Sequence, residues 1–108
     1  MKLYGIKNCD TVKKARKFLE LHKIKFEFID FREQPIDKAT LQGFLDELGW
    51  DKVINKRSAT YRNLTDSQKS NITFELTLKN TTLIKRPVLV TDSDIRVGFS
   101  EKSYLDLI

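Results

Sequence analysis

Apolar and polar positions along this chain change period several times, and each change marks an element. Residues 2–6 form a short apolar run around Leu3 and Tyr4, which predicts a strand. Gly5 inside it signals a close backbone approach. Residues 7–11, Lys-Asn-Cys-Asp-Thr, form a polar turn in which Asn8 or Asp10 can cap the following helix. Val12, Ala15 and Leu19 then recur at helical spacing, and Phe18 and Leu21 widen that face. Lys13, Lys14, Arg16 and Lys17 fall mostly on the wet side. His22 and Lys23 close the helix, where cations suit its dipole.

The second strand is expected over residues 24–31, with Phe26, Phe28 and Asp30 alternating against Glu27, Ile29 and Phe31. Pro35 breaks it. Asp37 can cap a helix that carries Leu41, Phe44, Leu45 and Leu48, and Gly49 ends that helix. Residues 50–63 read as irregular and basic, with Trp50, Lys52, Lys56, Arg57 and Arg62. Two short helices are expected near residues 65–68 and 74–78. Arg86-Pro87 leads into an apolar strand at 88–90, and Ile95, Val97 and Phe99 alternate as the last strand. Ser100 can cap a closing helix.

The order is thus β-α-β, a helical block, then ββα, which is the order of a thioredoxin-like fold. The expectation is one α/β domain over residues 1–108. Its mixed four-stranded sheet takes a helical insertion, roughly residues 37–83, between strands 2 and 3. No linker, repeat or low-complexity segment interrupts it.

Composition narrows the setting. With 108 residues, 40% of them hydrophobic, the chain can bury a core without disulfide or metal staples. Its single cysteine cannot form an internal disulfide, and no run approaches the ~20 apolar residues of a membrane span. A reducing, cytoplasmic setting is expected. The net charge of +5 favours anionic partners. The basic residues are dispersed and the aromatics fall in core-facing patterns, so no nucleic-acid platform is expected. Nothing in the sequence asks for an obligate dimer, and a monomer is expected.

Cys9 is the candidate for chemistry. A cysteine where a strand turns into a helix meets free backbone N–H groups and the positive helix end, both of which stabilise a thiolate. Lys7 and Lys13 add positive charge, and Asp10 opposes it. The motif Cys9-Asp10-Thr11-Val12 is C-x-x-V, with no resolving thiol elsewhere. A redox cycle must therefore be monothiol and completed by an external thiol such as glutathione. One Cys and one His cannot build a zinc site. His22 lies about 20 Å along the helix from Cys9, too far to serve as its base. Arg86-Pro87 is the second constellation: a proline entering this strand is often cis, and Arg86 beside it could hold an anion.

Three stretches together resemble the arsenate reductase/Spx family (ArsC-like), most closely its YffB-like branch. They are residues 4–15, Tyr-Gly-Ile-Lys-Asn-Cys-Asp-Thr-Val-Lys-Lys-Ala; Lys56-Arg57-Ser58; and residues 84–90 with Val97-Gly98-Phe99-Ser100. The resemblance implies a thioredoxin-like fold, the Cys9 thiol beside Arg86, and a cis peptide before Pro87. It further implies a glutathione-dependent thiol reductase. Cys9 and Arg86 would be catalytic, and Lys7, Asn8, Asp10, Thr11, Lys13, Lys56, Arg57 and Pro87 would hold substrate or glutathione. Glutathione would be a co-substrate, with no bound cofactor and no metal. Arsenate reductases of the family surround the cysteine with three arginines. Here Arg86 matches one, while Asn55, close to Arg57, and Phe99 stand at the others. Missing charge-assisted contacts, on the order of 1.5–3 kcal/mol each, imply weak arsenate reduction at best. The Spx branch implies a transcriptional regulator that contacts RNA polymerase, but Val12 removes the C-x-x-C switch that many of its members carry.

Overall fold

The computed structural model describes all 108 residues, Met1–Ile108. The chain divides into two compact units, one of residues 1–34 with 86–108, the other of residues 35–85.

The first unit is built on a four-stranded sheet in the order β2-β1-β3-β4. β1 (Lys2–Gly5) pairs in parallel with β2 (Glu27–Asp30), and antiparallel with β3 (Val88–Val90). β3 pairs antiparallel with β4 (Ile95–Val97). The parallel pair needs a crossover, supplied by α1 (Asp10–Leu21). The mixed sheet and element order are those of the thioredoxin-like fold.

Register explains the core. Leu3 stands beside Phe28 on one side and Leu89 on the other, so the three share one face of the sheet. Ala15, Phe18 and Leu19 of α1 and Tyr104 close over that face, and Ile24, Phe26, Phe28, Phe99 and Leu107 pack around them. Full burial of a leucine such as Leu19 contributes about 1.5–3 kcal/mol. Arg16 reaches the edge of this layer with its guanidinium carbon 4.3 Å from the centroid of the Phe28 ring.

Two of the expected details change here. Leu21 is 75% exposed instead of widening the buried stripe. At ~100° per residue it points roughly 200° away from Leu19, and α1 ends there. The helix closes in a Schellman turn. Lys23 N–H donates to Glu20 O at 3.1 Å, Ile24 N–H donates to Leu19 O at 2.9 Å, and Lys23 stands at φ 56°. This turn uses up residues 22–24, so β2 starts only at Glu27. The last strand likewise stops at Val97, because Gly98 turns the chain at φ 76°.

α7 (Glu101–Tyr104) begins at a reciprocal capping box between Ser100 and Ser103, and a 3-10 turn, Leu105–Leu107, follows. Arg96 of β4 grips this end: Nη1 and Nη2 each donate to Asp106 at 2.7 Å, Nη1 to Ser103 O at 2.9 Å, and Nε to Asp94. Those carboxylates raise the Arg96 pKa, and Arg96 in turn holds Asp106 below the usual carboxylate range.

The second unit is helical. α2 (Lys38–Leu48) starts at Asp37, whose carboxylate accepts the Thr40 N–H at 2.8 Å, and stops at Gly49 with φ 80°. Residues 50–63 are not irregular throughout. They contain α3 (Trp50–Val53) and α4 (Ala59–Arg62), the latter capped by Ser58. One-turn helices are too short to show a 3.6-residue period, which is why the pattern concealed them. α5 (Asp66–Ser70) has a capping box of Thr65 and Gln68, and α6 (Phe74–Lys79) is capped by Thr73. Trp50 stands edge-on to Phe74 at 5.6 Å. Paired backbone around Ile54 and Ile84 closes the unit: Asn55 N–H donates to Leu83 O and Lys85 N–H to Val53 O, both at 2.7 Å.

Candidate functional site

The strands deliver their ends to one side of the sheet. β1 finishes at Gly5 beside Asp30 of β2, and Tyr4 lies opposite Val88, so Arg86 and Pro87 arrive at the end of β1. The turn at residues 6–8 leaves from the same place and leads to Cys9. The Arg86–Pro87 peptide is cis, and the Pro87 carbonyl accepts the Gly98 N–H at 2.8 Å.

Cys9 is itself the N-cap of α1, in place of the expected Asn8 or Asp10. Its backbone is extended (φ −87°, ψ 124°), its N–H donates to Ile6 O at 3.1 Å, and its carbonyl accepts the Lys13 N–H at 3.0 Å. No side chain caps this helix end. A helix leaves its first N–H groups without intrahelical partners, and the N-cap side chain normally accepts from them. The half-buried sulfur of Cys9 is attached where that acceptor belongs.

Two residues hold this turn. Asp30, 6% exposed, accepts the Lys7 N–H at 3.1 Å through Oδ2 and the Arg32 N–H at 2.8 Å through Oδ1. Burial works against its charge, but the two N–H bonds and the Lys7 and Arg32 charges outweigh this and hold the carboxyl below its usual range. Gly5 is the other. A Cβ there would lie 2.7 Å from Cγ2 and 3.0 Å from Cγ1 of Val12, so the first turn of α1 rests directly on the β1 backbone. Val12 is fully buried. The last position of C-x-x-V is thus a packing position rather than a second reactive group.

Sequence reasoning saw the Gly5 contact and missed the role of Asp30. The available signal was an acid enclosed by Phe28, Ile29 and Phe31, since a carboxylate in such a run needs internal donors.

The other candidates divide. Lys7 contributes its amide, while its ammonium pairs with Glu33 at 2.8 Å, and that bond and charge raise the Lys7 pKa. Asn8 is exposed in the turn. Asp10, the first residue of α1, is exposed and shares the outer helix face with Lys13, Lys14 and Lys17. Thr11 and Arg86 are half-buried, and Pro87 is buried. Lys56 and Arg57 belong to the helical unit, in the turn after α3. There Lys56 Nζ lies 3.7 Å from Asp51, and Arg57 N–H donates to Asn55 Oδ1 at 3.1 Å. Phe99 stands in the aromatic cluster with Phe18 and Tyr104. No group of three or more His, Cys, Asp or Glu side chains is placed to hold a metal ion. No helix is long and apolar enough to cross a membrane.

This arrangement has clear relatives. An uncharacterized protein of Haemophilus influenzae is 42% identical, over 94% of this chain and 93% of its own length. The global transcriptional regulator Spx of Listeria innocua is 32% identical, over 92% of this chain and 79% of its own. A solved YFFB protein superposes with a TM-score of 0.91 at 39% identity, covering 97% of this chain and 96% of that one. The ArsC family matches residues 4–107, a span that takes in the β1–α1 turn, the helical unit and the Arg86–Pro87 strand. The chain is therefore a member of the ArsC family.

Proposed function

We propose that this protein is a glutathione-dependent monothiol oxidoreductase with Cys9 as its nucleophile. The observation that carries the reading is Cys9 as the N-cap of an otherwise uncapped α1, at the end of the sheet to which Arg86 and Pro87 are also delivered. The Cys9 thiolate attacks the glutathione sulfur of a mixed disulfide. A Cys9–glutathione disulfide forms, and the substrate leaves as a thiolate that takes a proton from water. A second glutathione thiolate attacks the bound glutathione sulfur, which releases oxidised glutathione and regenerates the Cys9 thiolate. Arg86 would hold a carboxylate of the tripeptide. The exposed Asn8, Asp10 and Lys13, together with the backbone at Thr11 and Pro87, would shape the remaining contacts.

The test is turnover of a glutathionylated peptide in a glutathione reductase-coupled assay. Wild type should turn over, Cys9→Ser should fall to background, and Arg86→Ala should raise the KM for glutathione more than it lowers kcat. Wild-type turnover no better than Cys9→Ser would end this reading.

A second reading rests on the Spx relative: a regulator that docks on RNA polymerase, with Cys9 as a sensor. Polymerase retention that persists in Cys9→Ser, together with absent turnover, would favour it. Arsenate reduction is expected to be slow in either case, because Phe99, which the resemblance sets at an arginine position of arsenate reductases, packs between the Phe18 and Tyr104 rings.

A further inference from the structure

The end of α1 remote from Cys9 carries a feature that the thiol chemistry does not use. Leu21 (75% exposed), Leu105 (56%) and Ile108 (65%) are three of the four most exposed large hydrophobic side chains of the chain. They border a single groove of about 720 Å³. Its floor is aromatic and interlocked: the Phe18 ring lies 5.7 Å from Phe99 and 5.9 Å from Tyr104, and Phe99 meets Tyr104 edge-on at 4.8 Å. Exposed apolar surface gathered over a fixed floor marks an interaction site more often than scattered leucines do. The charges are segregated. Lys14 and Lys17 stand on the α1 wall, and Glu101 stands on the α7 wall.

We propose that this groove docks an amphipathic helix of another protein. The helix's apolar stripe would lie on the Phe18–Phe99 floor, and its acidic flank would face Lys14 and Lys17. Helix-in-groove recognition uses apolar anchors at i, i+3/i+4 and i+7, which suits an open trough lined by leucine, isoleucine and phenylalanine. The acidic flank follows from charge complementarity with the lysine wall, and Glu101 opposite them disfavours carboxylates on both flanks. A second copy of this chain is a poor occupant, because two molecules of net charge +5 repel as they approach. Along α1 the groove runs from Lys14 to Leu21, roughly 8 to 18 Å from Cys9, and Cys9 does not line it. The inference is independent of the oxidoreductase reading.

The probe is a labelled helical peptide of about 15 residues with leucines at those spacings and glutamates on one flank, followed by fluorescence anisotropy. A matched peptide carries lysine in place of glutamate. The glutamate peptide should bind wild type. It should bind about tenfold more weakly, ~1.4 kcal/mol, to Leu21→Glu and to Lys17→Glu, and the lysine peptide should be weaker by a similar factor. Leu21 is exposed, so Leu21→Glu should keep the wild-type circular dichroism and the wild-type Cys9 alkylation rate. Equal binding of both peptides, binding of neither, or wild-type self-association abolished by Leu105→Glu in sedimentation would each overturn the proposal.

Discussion

The buried carboxylate of Asp30 accepts the main-chain N–H of Lys7 at 3.1 Å, which ties the end of β2 to the turn that presents Cys9. The Arg32 N–H binds the other oxygen at 2.8 Å, so both halves of the carboxylate are engaged. Its folded pKa is depressed, so this stability is fully present above the unfolded value of ~3.9 and is lost as pH falls through the folded value. Asp30→Ala should lower stability by about 1.5–3 kcal/mol at neutral pH, the range for hydrogen bonds to a charged group. Urea midpoints measured from pH 7 to pH 3 should fall more steeply for wild type than for Asp30→Ala.

Gly5→Ala tests the contact beneath α1. The added methyl would meet Val12 at 2.7 Å, and Val12 is fully buried with little room to yield. Overpacking of this kind costs about 1–3 kcal/mol. The displaced first turn should also slow alkylation of Cys9. A Gly5→Ala, Val12→Ala double variant should recover part of that rate, read with iodoacetamide at neutral pH.

Lys23 should be improvable. It closes the Schellman turn of α1 at φ 56°, a conformation glycine adopts without steric cost. Lys23→Gly should stabilise the protein by ~0.5–1 kcal/mol, seen as a raised Tm with unchanged activity. Lys23→Val should do the opposite.

The Arg96 grip makes a prediction for the other end of the sheet. Arg96→Ala removes donors to Asp94, Asp106 and Ser103 O at once, and Arg96→Lys cannot restore the fork. Because Asp106 is exposed to solvent, the expected loss is modest, about 1 kcal/mol, and should shrink in high salt. Hydrogen exchange should rise first in residues 101–107.

Elements governed by local rules could be read from the sequence. The α1 stripe of Val12, Ala15, Phe18 and Leu19 is buried as its spacing implies, and Asp37 and Ser100 cap the helices they precede. What the sequence hid depends on tertiary partners or on pieces too short to have a period. Leu21 has the right residue type for the core but the wrong azimuth at a helix end. The helices at Trp50–Val53 and Ala59–Arg62 are single turns. Asp30 looks like an ordinary strand-end acid until parallel pairing sets Gly5 beside it and brings the Lys7 amide within reach. At the site, the position of Cys9 was legible, whereas its being the cap itself depended on backbone angles that no side-chain pattern encodes.

Val12, buried at the last position of C-x-x-V, leaves Cys9 without a partner thiol in its own chain. With its only thiol at Cys9, the chain cannot close a disulfide on itself. Every disulfide-bonded copy must carry a small-molecule thiol or a second protein, and so must be heavier than the reduced one. The redox state of a population could be counted by weighing intact molecules, without trapping a fleeting internal bond.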